Sequence, residues 1–103
     1  MATTVVGRDL NACSIANEGG AGVTVGATST AVISANTARV AATFVNDSDE
    51  VIYLSLGGAV ALNKGIRLNA SGGSFSIDAS NLYKGAVTAI CTSGSKVLCV
   101  TEL

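Results

Sequence analysis

The chain has 103 residues, of which 13% are charged, and it contains no histidine, proline or tryptophan. Without histidine there is no imidazole to act as a general base or to bind zinc, so we expect no enzyme and no cofactor. The formal net charge of −1, the lack of a basic patch and the lack of a basic amphipathic segment predict binding to neither nucleic acid nor membrane.

The charge content is low for so small a chain, because about 25% of the residues of an average soluble domain are charged. A small domain has a large surface for its volume and is expected to carry more charge than average. Either Ser, Thr, Asn and Gly cover the surface, or part of it is buried against other protein. The second alternative is typical of oligomers, whose interface cores are depleted in Lys, Glu and Asp.

The first 29 residues differ from the rest of the chain. They contain five glycines and show no regular apolar period before about Val23. This composition predicts an extended N-terminal arm over residues 1–29, with at most one short strand and a flexible segment at residues 18–22. An arm of this kind is either disordered or ordered by a partner. The start of the chain lacks the features of a secretory signal, which predicts a protein made inside a cell.

From Thr30 onward, short β-branched or alternating segments recur between turn residues. The predicted strands are residues 30–34, 39–46, 51–56, 65–69, 74–78, 85–92 and 96–102. Ile52, Leu54 and Leu56 are expected to face inward, and the last two strands are expected to form a closing hairpin. Seven short strands at this spacing predict an all-β fold, a small antiparallel β-sandwich or barrel, over residues 30–103.

The acidic group Asp47, Asp49 and Glu50 resembles the start of a calcium loop. The glycine at the sixth position and the glutamate at the twelfth are missing, so the sequence predicts a solvated hairpin turn and no metal site. The three cysteines show no metal-binding spacing, and their odd number predicts reduced thiols. Cys91 and Cys99 would be diagonal in the closing hairpin, near the limit of disulfide reach, whereas Cys13 could cross-link to a neighbouring chain.

The C-terminal part of the chain contains six short segments in this order: Phe44-Val45-Asn46-Asp47-Ser48-Asp49, Val51-Ile52-Tyr53-Leu54-Ser55-Leu56-Gly57, Gly65-Ile66-Arg67-Leu68, Gly72-Gly73-Ser74-Phe75, Leu82-Tyr83-Lys84-Gly85-Ala86-Val87, and Lys96-Val97-Leu98-Cys99-Val100-Thr101-Glu102. In this order they resemble a recurring module of tailed-bacteriophage virion proteins. The resemblance covers residues 38–103, and the segment at residues 8–29 has no counterpart.

The resemblance implies a small β-sandwich capsid decoration, or cement, protein that clamps neighbouring capsid subunits. Its implied partners are the major capsid protein and sister copies in a dimer or trimer. Its implied location is the virion surface after assembly in the cytoplasm of the host bacterium. We expect the interface to lie in the arm, in the loop at residues 57–64 and at one tyrosine, with the contact residues Thr3, Val5, Val6, Leu10, Ile15, Val60, Leu62 and Tyr83.

Two alternatives stay open at this point. A tail, neck or fibre component would bind neighbouring proteins through the same kind of contact, at another place in the virion. A carbohydrate- or receptor-binding module on the virion surface would need an exposed aromatic platform, for which Tyr53 and Tyr83 are the candidates.

Overall fold

The computed structural model describes residues 17–18 and 22–103, and these residues form nine β-strands. In chain order the strands are β1 (Asn17–Glu18), β2 (Val23–Val25), β3 (Thr30–Ile33), β4 (Ala42–Asn46), β5 (Ile52–Leu56), β6 (Ile66–Leu68), β7 (Ser74–Ile77), β8 (Val87–Cys91) and β9 (Lys96–Glu102). Every strand pair is antiparallel. The predicted all-β fold is confirmed.

The strands form two sheets. In the front sheet β1 and β2 both pair with one edge of β9, which is followed by β4 and β7; the back sheet has the order β3, β8, β5, β6. From β2 to β9 every connection crosses from one sheet to the other, except the hairpin that joins β5 to β6. This is the strand order of a jelly roll, in which two four-stranded sheets pack face to face.

Alternation along the strands builds the core between the two sheets. Phe44 and Leu98 of the front sheet, and Ile52 and Leu54 of the back sheet, are fully buried, as the period of two predicts. Leu56 is half-buried at the margin of the same core.

The prediction that β8 and β9 form a closing hairpin is wrong, because the two strands lie in different sheets. β8 pairs with β3 and β5, whereas β9 pairs with β4 and with β1 and β2. Both strands are interior, and pairing with each other would leave one of these neighbours unpaired. Residues 92–95 therefore cross between the sheets, with Gly94 and Ser95 at φ values of +80° and +58°.

The same correction applies to the acidic turn at residues 46–50, which joins β4 in the front sheet to β5 in the back sheet and is not a hairpin turn.

The crossing at residues 92–95 also separates the two cysteines. Cys91 is buried in the core opposite Ile52, and Cys99 is exposed on the front sheet opposite Val45. Both thiols are free.

Part of the predicted arm belongs to the front sheet. Val23, Thr24 and Val25 pair with Leu98, Val97 and Lys96 of β9, and Val25 is fully buried. The backbone of Asn17–Glu18 pairs with the C-terminal end of the same strand. The sandwich therefore extends beyond the predicted boundary at residue 30. In the described part of the chain, no helix is long and apolar enough to cross a membrane.

Candidate interface

On β2, β4, β7 and β9, the outer face of the front sheet carries uncharged side chains. Its members alternate with the core residues of β2, β4, β7 and β9, and we call this surface the bare face: Thr24, Thr43, Val45, Ser74, Ser76, Val97, Cys99 and Thr101. Strand register sets the members in rows, of which the central one runs from Cys99 through Val45 to Ser74. Because each position lies on a paired strand, the face presents a fixed pattern of valine, thiol and hydroxyl groups.

The outer face of the back sheet is partly covered by the chain itself. The loop between β5 and β6 folds over it, and Val60 packs against Tyr53 and Ile90. Several hydrogen bonds hold the loop down. The Tyr53 hydroxyl donates to Oδ1 of Asn63 at 2.9 Å, the Thr88 hydroxyl donates to the carbonyl of Gly58 at 2.9 Å, and the Val60 N–H donates to Oγ of Ser29 at 3.2 Å. The described chain thus buries the part of this face around Tyr53 and Ile90.

The eight members of the bare face include no charged residue, but two acidic residues border it in register: the Asp47 N–H donates to the carbonyl of Val97, and Glu18 of β1 pairs with Thr101. Loops carry Asp47, Asp49, Glu50, Lys64, Asp78 and Lys84, while Arg67 lies on β6 of the back sheet and Lys96 at the start of β9. The Lys96 ammonium is 2.7 Å from a carboxylate oxygen of Asp49. This pair lies at the end of the sandwich that carries the β4–β5 and β8–β9 connections, which we call the loop end. The outward strand positions of β2, β4, β7 and β9 therefore carry no charged side chain.

A buried arginine fixes the opposite end of the sandwich. Arg39 is fully buried, and its Nε donates to Oε2 of Glu102 at 2.6 Å. Its two terminal nitrogens donate to the backbone carbonyls of Tyr83, Gly85 and Ser34 at 2.8–2.9 Å. Three segments are thus tied to one guanidinium, which presents its donors in a rigid fork. The sequence predicted Arg39 only as the start of a strand, and no local signal marked it as buried.

A second buried polar group organises the loop end. The side-chain amide of Asn46 donates to the carbonyls of Glu50 at 2.7 Å and Leu68 at 3.0 Å, and its Oδ1 accepts from the Ser48 hydroxyl at 2.6 Å. Its backbone N–H donates to the carbonyl of Gly73 at 2.8 Å. Asn46 therefore joins the β4–β5 and β6–β7 loops, and it lies directly beside the bare face at the end of β4.

The acidic residues of the β4–β5 loop hold neighbouring loops and form no metal site. The carboxylate of Glu50 accepts from the Ser93 N–H and from the Ser93 hydroxyl, both at 2.7 Å. A shallow, open depression of about 500 Å³ lies beside Asp47, Ser48 and Asp49. Within the described residues, no group of three or more Cys, Asp and Glu side chains could hold a metal ion.

These contacts predict a loss of stability in acid. The Ser93 N–H and hydroxyl lower the pKa of Glu50, and the hydrogen bond from Lys96 lowers the pKa of Asp49. A carboxyl whose pKa is lowered by folding stabilises the native state above its unfolded pKa, and that contribution disappears as the pH falls through the folded pKa. We expect urea midpoints to fall with pH below about 4.5, and to fall less in Glu50→Gln. Equal acid dependence of the two proteins would contradict this assignment.

The structure describes three of the eight predicted interface residues. Val60 is buried at 7% exposure under its own loop, Leu62 is exposed at 37%, and Tyr83 is half-buried with its hydroxyl donating to the carbonyl of Ala86 at 2.9 Å. Five lie outside the described residues: Thr3, Val5, Val6, Leu10 and Ile15. Because Tyr53 is only 9% exposed, Tyr53 and Tyr83 do not form an exposed aromatic pair.

The free edge of the front sheet is partly blocked. The side-chain amide of Asn81 donates to the carbonyl of Ser76 at 3.0 Å and accepts from the N–H of Asp78 at 2.7 Å. The amide thereby takes the place of a neighbouring strand at the end of β7. Because an open edge invites pairing with another chain, this contact disfavours edge-to-edge association there and leaves the bare face as the better candidate.

No family model matches the chain, and no curated protein or solved structure matches it. The fold and the candidate site define the class of protein by themselves. It is a jelly-roll β-sandwich whose own loop packs on the outer face of the back sheet, and whose front sheet carries uncharged outer side chains on β2, β4, β7 and β9.

Proposed function

We propose that the protein is a structural virion protein, a capsid decoration protein that stabilises a tailed-phage head by bridging neighbouring capsid subunits. The observation that carries the proposal is the bare face. It offers Val45, Val97 and Cys99 for burial, and none of its eight members is charged. Such a surface suits the core of a protein–protein interface, where charged residues are depleted.

The buried networks suit this role because they make the surface rigid. Arg39 ties the ends of both sheets to the C-terminal strand, and Asn46 fixes the loops at the other end. A preorganised surface loses little conformational entropy when it binds, so more of the contact energy appears as affinity. A protein that clamps subunits of a shell needs this property, since repetition over the shell multiplies each contact.

The assignment to a virion rests on the resemblance over residues 38–103, supported by the strand order. Jelly rolls occur in viral capsid proteins, and they also occur in lectins and cupins. The fold alone therefore does not identify a function. A tail, neck or fibre component would use the same bare face elsewhere in the particle. The carbohydrate-binding alternative loses its proposed platform, because Tyr53 is buried beneath Val60.

Purified particles of the phage that encodes the chain provide the test of location. We expect mass spectrometry to find the protein in a stoichiometry that matches the capsid, and immunogold labels to cover the head. Particles assembled without the gene should lose their DNA at a lower temperature. Labels confined to the tail would favour the alternative component, and absence from the particle would refute the proposal.

The bare face itself is tested by Val45→Lys. A lysine at its centre would be buried in the complex without a partner, and we expect binding to particles that lack the protein to weaken at least tenfold. The matched control is Ala31→Lys, which places the same charge at an exposed strand position on the back sheet. Cosedimentation with the particles measures both. Equal loss in the two variants, or no loss in Val45→Lys, would exclude the bare face as the binding surface.

A further inference from the structure

We infer that residues 57–65, which we call the strap, open as one unit on hinges at their two ends while the sandwich stays folded. The strap is the loop between β5 and β6, and its middle lies on the outer face of the back sheet. Opening uncovers an apolar patch of Tyr53 and Ile90 that the chain otherwise keeps covered. The inference goes beyond the proposed function, which uses the front sheet, and does not depend on it.

The apolar contact beneath the strap is separate from the main core. Val60 packs with Tyr53 and Ile90, and Val51 packs against this small cluster, whereas the larger cluster lies between the two sheets. Tyr53 and Ile90 pair with each other across β5 and β8, so their backbones need nothing from the strap. All residues of the strap are described, and Val60 alone is buried among them. Lifting the strap therefore withdraws a single apolar side chain and leaves the core between the sheets intact.

Three hydrogen bonds attach the middle of the strap to the rest of the chain, and each of them uses a hydroxyl outside the strap. They join Gly58, Val60 and Asn63 to the hydroxyls of Thr88, Ser29 and Tyr53, at 2.9, 3.2 and 2.9 Å respectively. In the described part of the chain, the backbone–backbone hydrogen bond of residues 58–64 is internal, from the Lys64 N–H to the carbonyl of Ala61 at 3.3 Å. No strand ladder thus holds the middle of the strap, whereas both of its ends continue into paired strands. Segments with few buried apolar contacts and solvent-accessible hydrogen bonds are the ones that open locally.

The two ends of the strap provide the hinges. Gly58 and Gly65 have φ values of +84° and +80°, a region that is unfavourable for residues with a side chain. A Cβ at Gly65 would clash with the carbonyl oxygen of Leu54, whereas a Cβ at Gly58 would meet no described atom within 4 Å. Hinges are commonly a few residues at the ends of elements, where they absorb the change in φ and ψ. Gly58→Ala therefore introduces no clash and is expected to favour the open form, because positive φ is unfavourable for alanine.

Opening changes what the back sheet presents to a ligand. The ring of Tyr53 and the side chain of Ile90 become accessible together with the hydroxyl of Thr88, while Leu62, exposed at 37%, moves away with the strap. A ligand that contacts the uncovered patch binds only the open form, so its affinity is lowered by the fraction of molecules that are open. The strap is thus a conformational device that keeps this part of the back sheet closed in the free protein.

Thiol labelling of the full chain tests the inference. In Cys13→Ser/Cys99→Ser/Val60→Cys, the introduced thiol reports opening of the strap, and Cys91, which is buried in the core, reports unfolding of the sandwich. In native buffer we expect a maleimide to modify the introduced thiol about 100 times faster than Cys91, or more. Low concentrations of urea should accelerate the labelling of Cys91 but not that of the introduced thiol, because local opening exposes little surface.

A matched pair of variants assigns the opening to the strap. Thr88→Val removes a hydroxyl that holds the strap, and we expect labelling of the introduced thiol to accelerate about fivefold, which corresponds to the loss of one hydrogen bond. Tyr53→Phe and Gly58→Ala should accelerate it in the same direction. Thr43→Val is the control, because it removes a hydroxyl of the front sheet, 3.4 Å from that of Ser76, and should change the rate by less than about twofold. Circular dichroism confirms that each protein is folded.

Hydrogen exchange of the natural chain provides a measurement without substitutions. We expect the N–H of Val60 to exchange at a rate independent of low urea, and the N–H of Phe44 in β4 to exchange only through global unfolding. If the introduced thiol is modified no faster than Cys91, or if the two N–H groups exchange together, the strap opens only with the sandwich and the inference is wrong. Equal acceleration by Thr88→Val and Thr43→Val would also overturn it. So would labelling as fast as in the unfolded chain, because the strap would then have no closed form.

Discussion

Replacing Arg39 by methionine is expected to lower the free energy of unfolding by about 3–5 kcal/mol, because the carboxylate of Glu102 stays in a nearly dry site without its cation. The carbonyls of Ser34, Tyr83 and Gly85 lose their donors in the same step. Small domains are stable by about 5–15 kcal/mol, so the change is a large fraction of the total. Urea unfolding followed by far-ultraviolet circular dichroism measures it.

Lys96→Met is the matched control for this prediction. It also removes a cation from an ion pair, but Asp49 is exposed and keeps its water, so we expect little change in the urea midpoint. Adding Glu102→Leu to Arg39→Met should recover part of the lost stability, because the unpaired carboxylate disappears. A midpoint for Arg39→Met close to that of Lys96→Met would show that the buried pair does not hold the sandwich together.

Asn46→Asp is expected to be almost as damaging, although the two side chains have nearly the same shape. The amide nitrogen of Asn46 donates to the carbonyls of Glu50 and Leu68, and a carboxylate oxygen in its place would face two acceptors. Because the site is fully buried, we expect a loss of about 3–5 kcal/mol at pH 7, close to the cost of an uncompensated buried charge.

The pH dependence of this variant identifies the cause. Burial and the facing carbonyls raise the pKa of the introduced carboxyl above its unfolded value, so the folded state binds the proton more tightly. The stability deficit relative to the natural chain should shrink as the pH falls towards the unfolded pKa, where the protonated group can donate one hydrogen bond. Asn46→Ala, which has no charge, should show a deficit independent of pH. A deficit in Asn46→Asp that does not shrink in acid would exclude electrostatic repulsion.

Local sequence pattern determined which residues face the core. Alternation with a period of two is a property of a single strand, so the inward positions of β5 and the full extent of β9 could be predicted without knowledge of their neighbours. The short β2 was assigned to the arm, since three residues between glycines show too little alternation to count as a strand. The absence of histidine and the low charge content were likewise properties of the chain alone.

Only the tertiary structure decided which strands are neighbours. The segments at residues 46–50 and 92–95 are short enough for hairpins, yet both cross between the sheets, because each interior strand finds two other partners. Burial of Arg39 depends on acceptors from three segments, two of which are distant in sequence, and no local pattern can show that they converge. The same holds for the bare face. Composition predicted that part of the surface carries little charge. The position of the bare face, however, follows from the order of the strands, and long-range pairing determines that order.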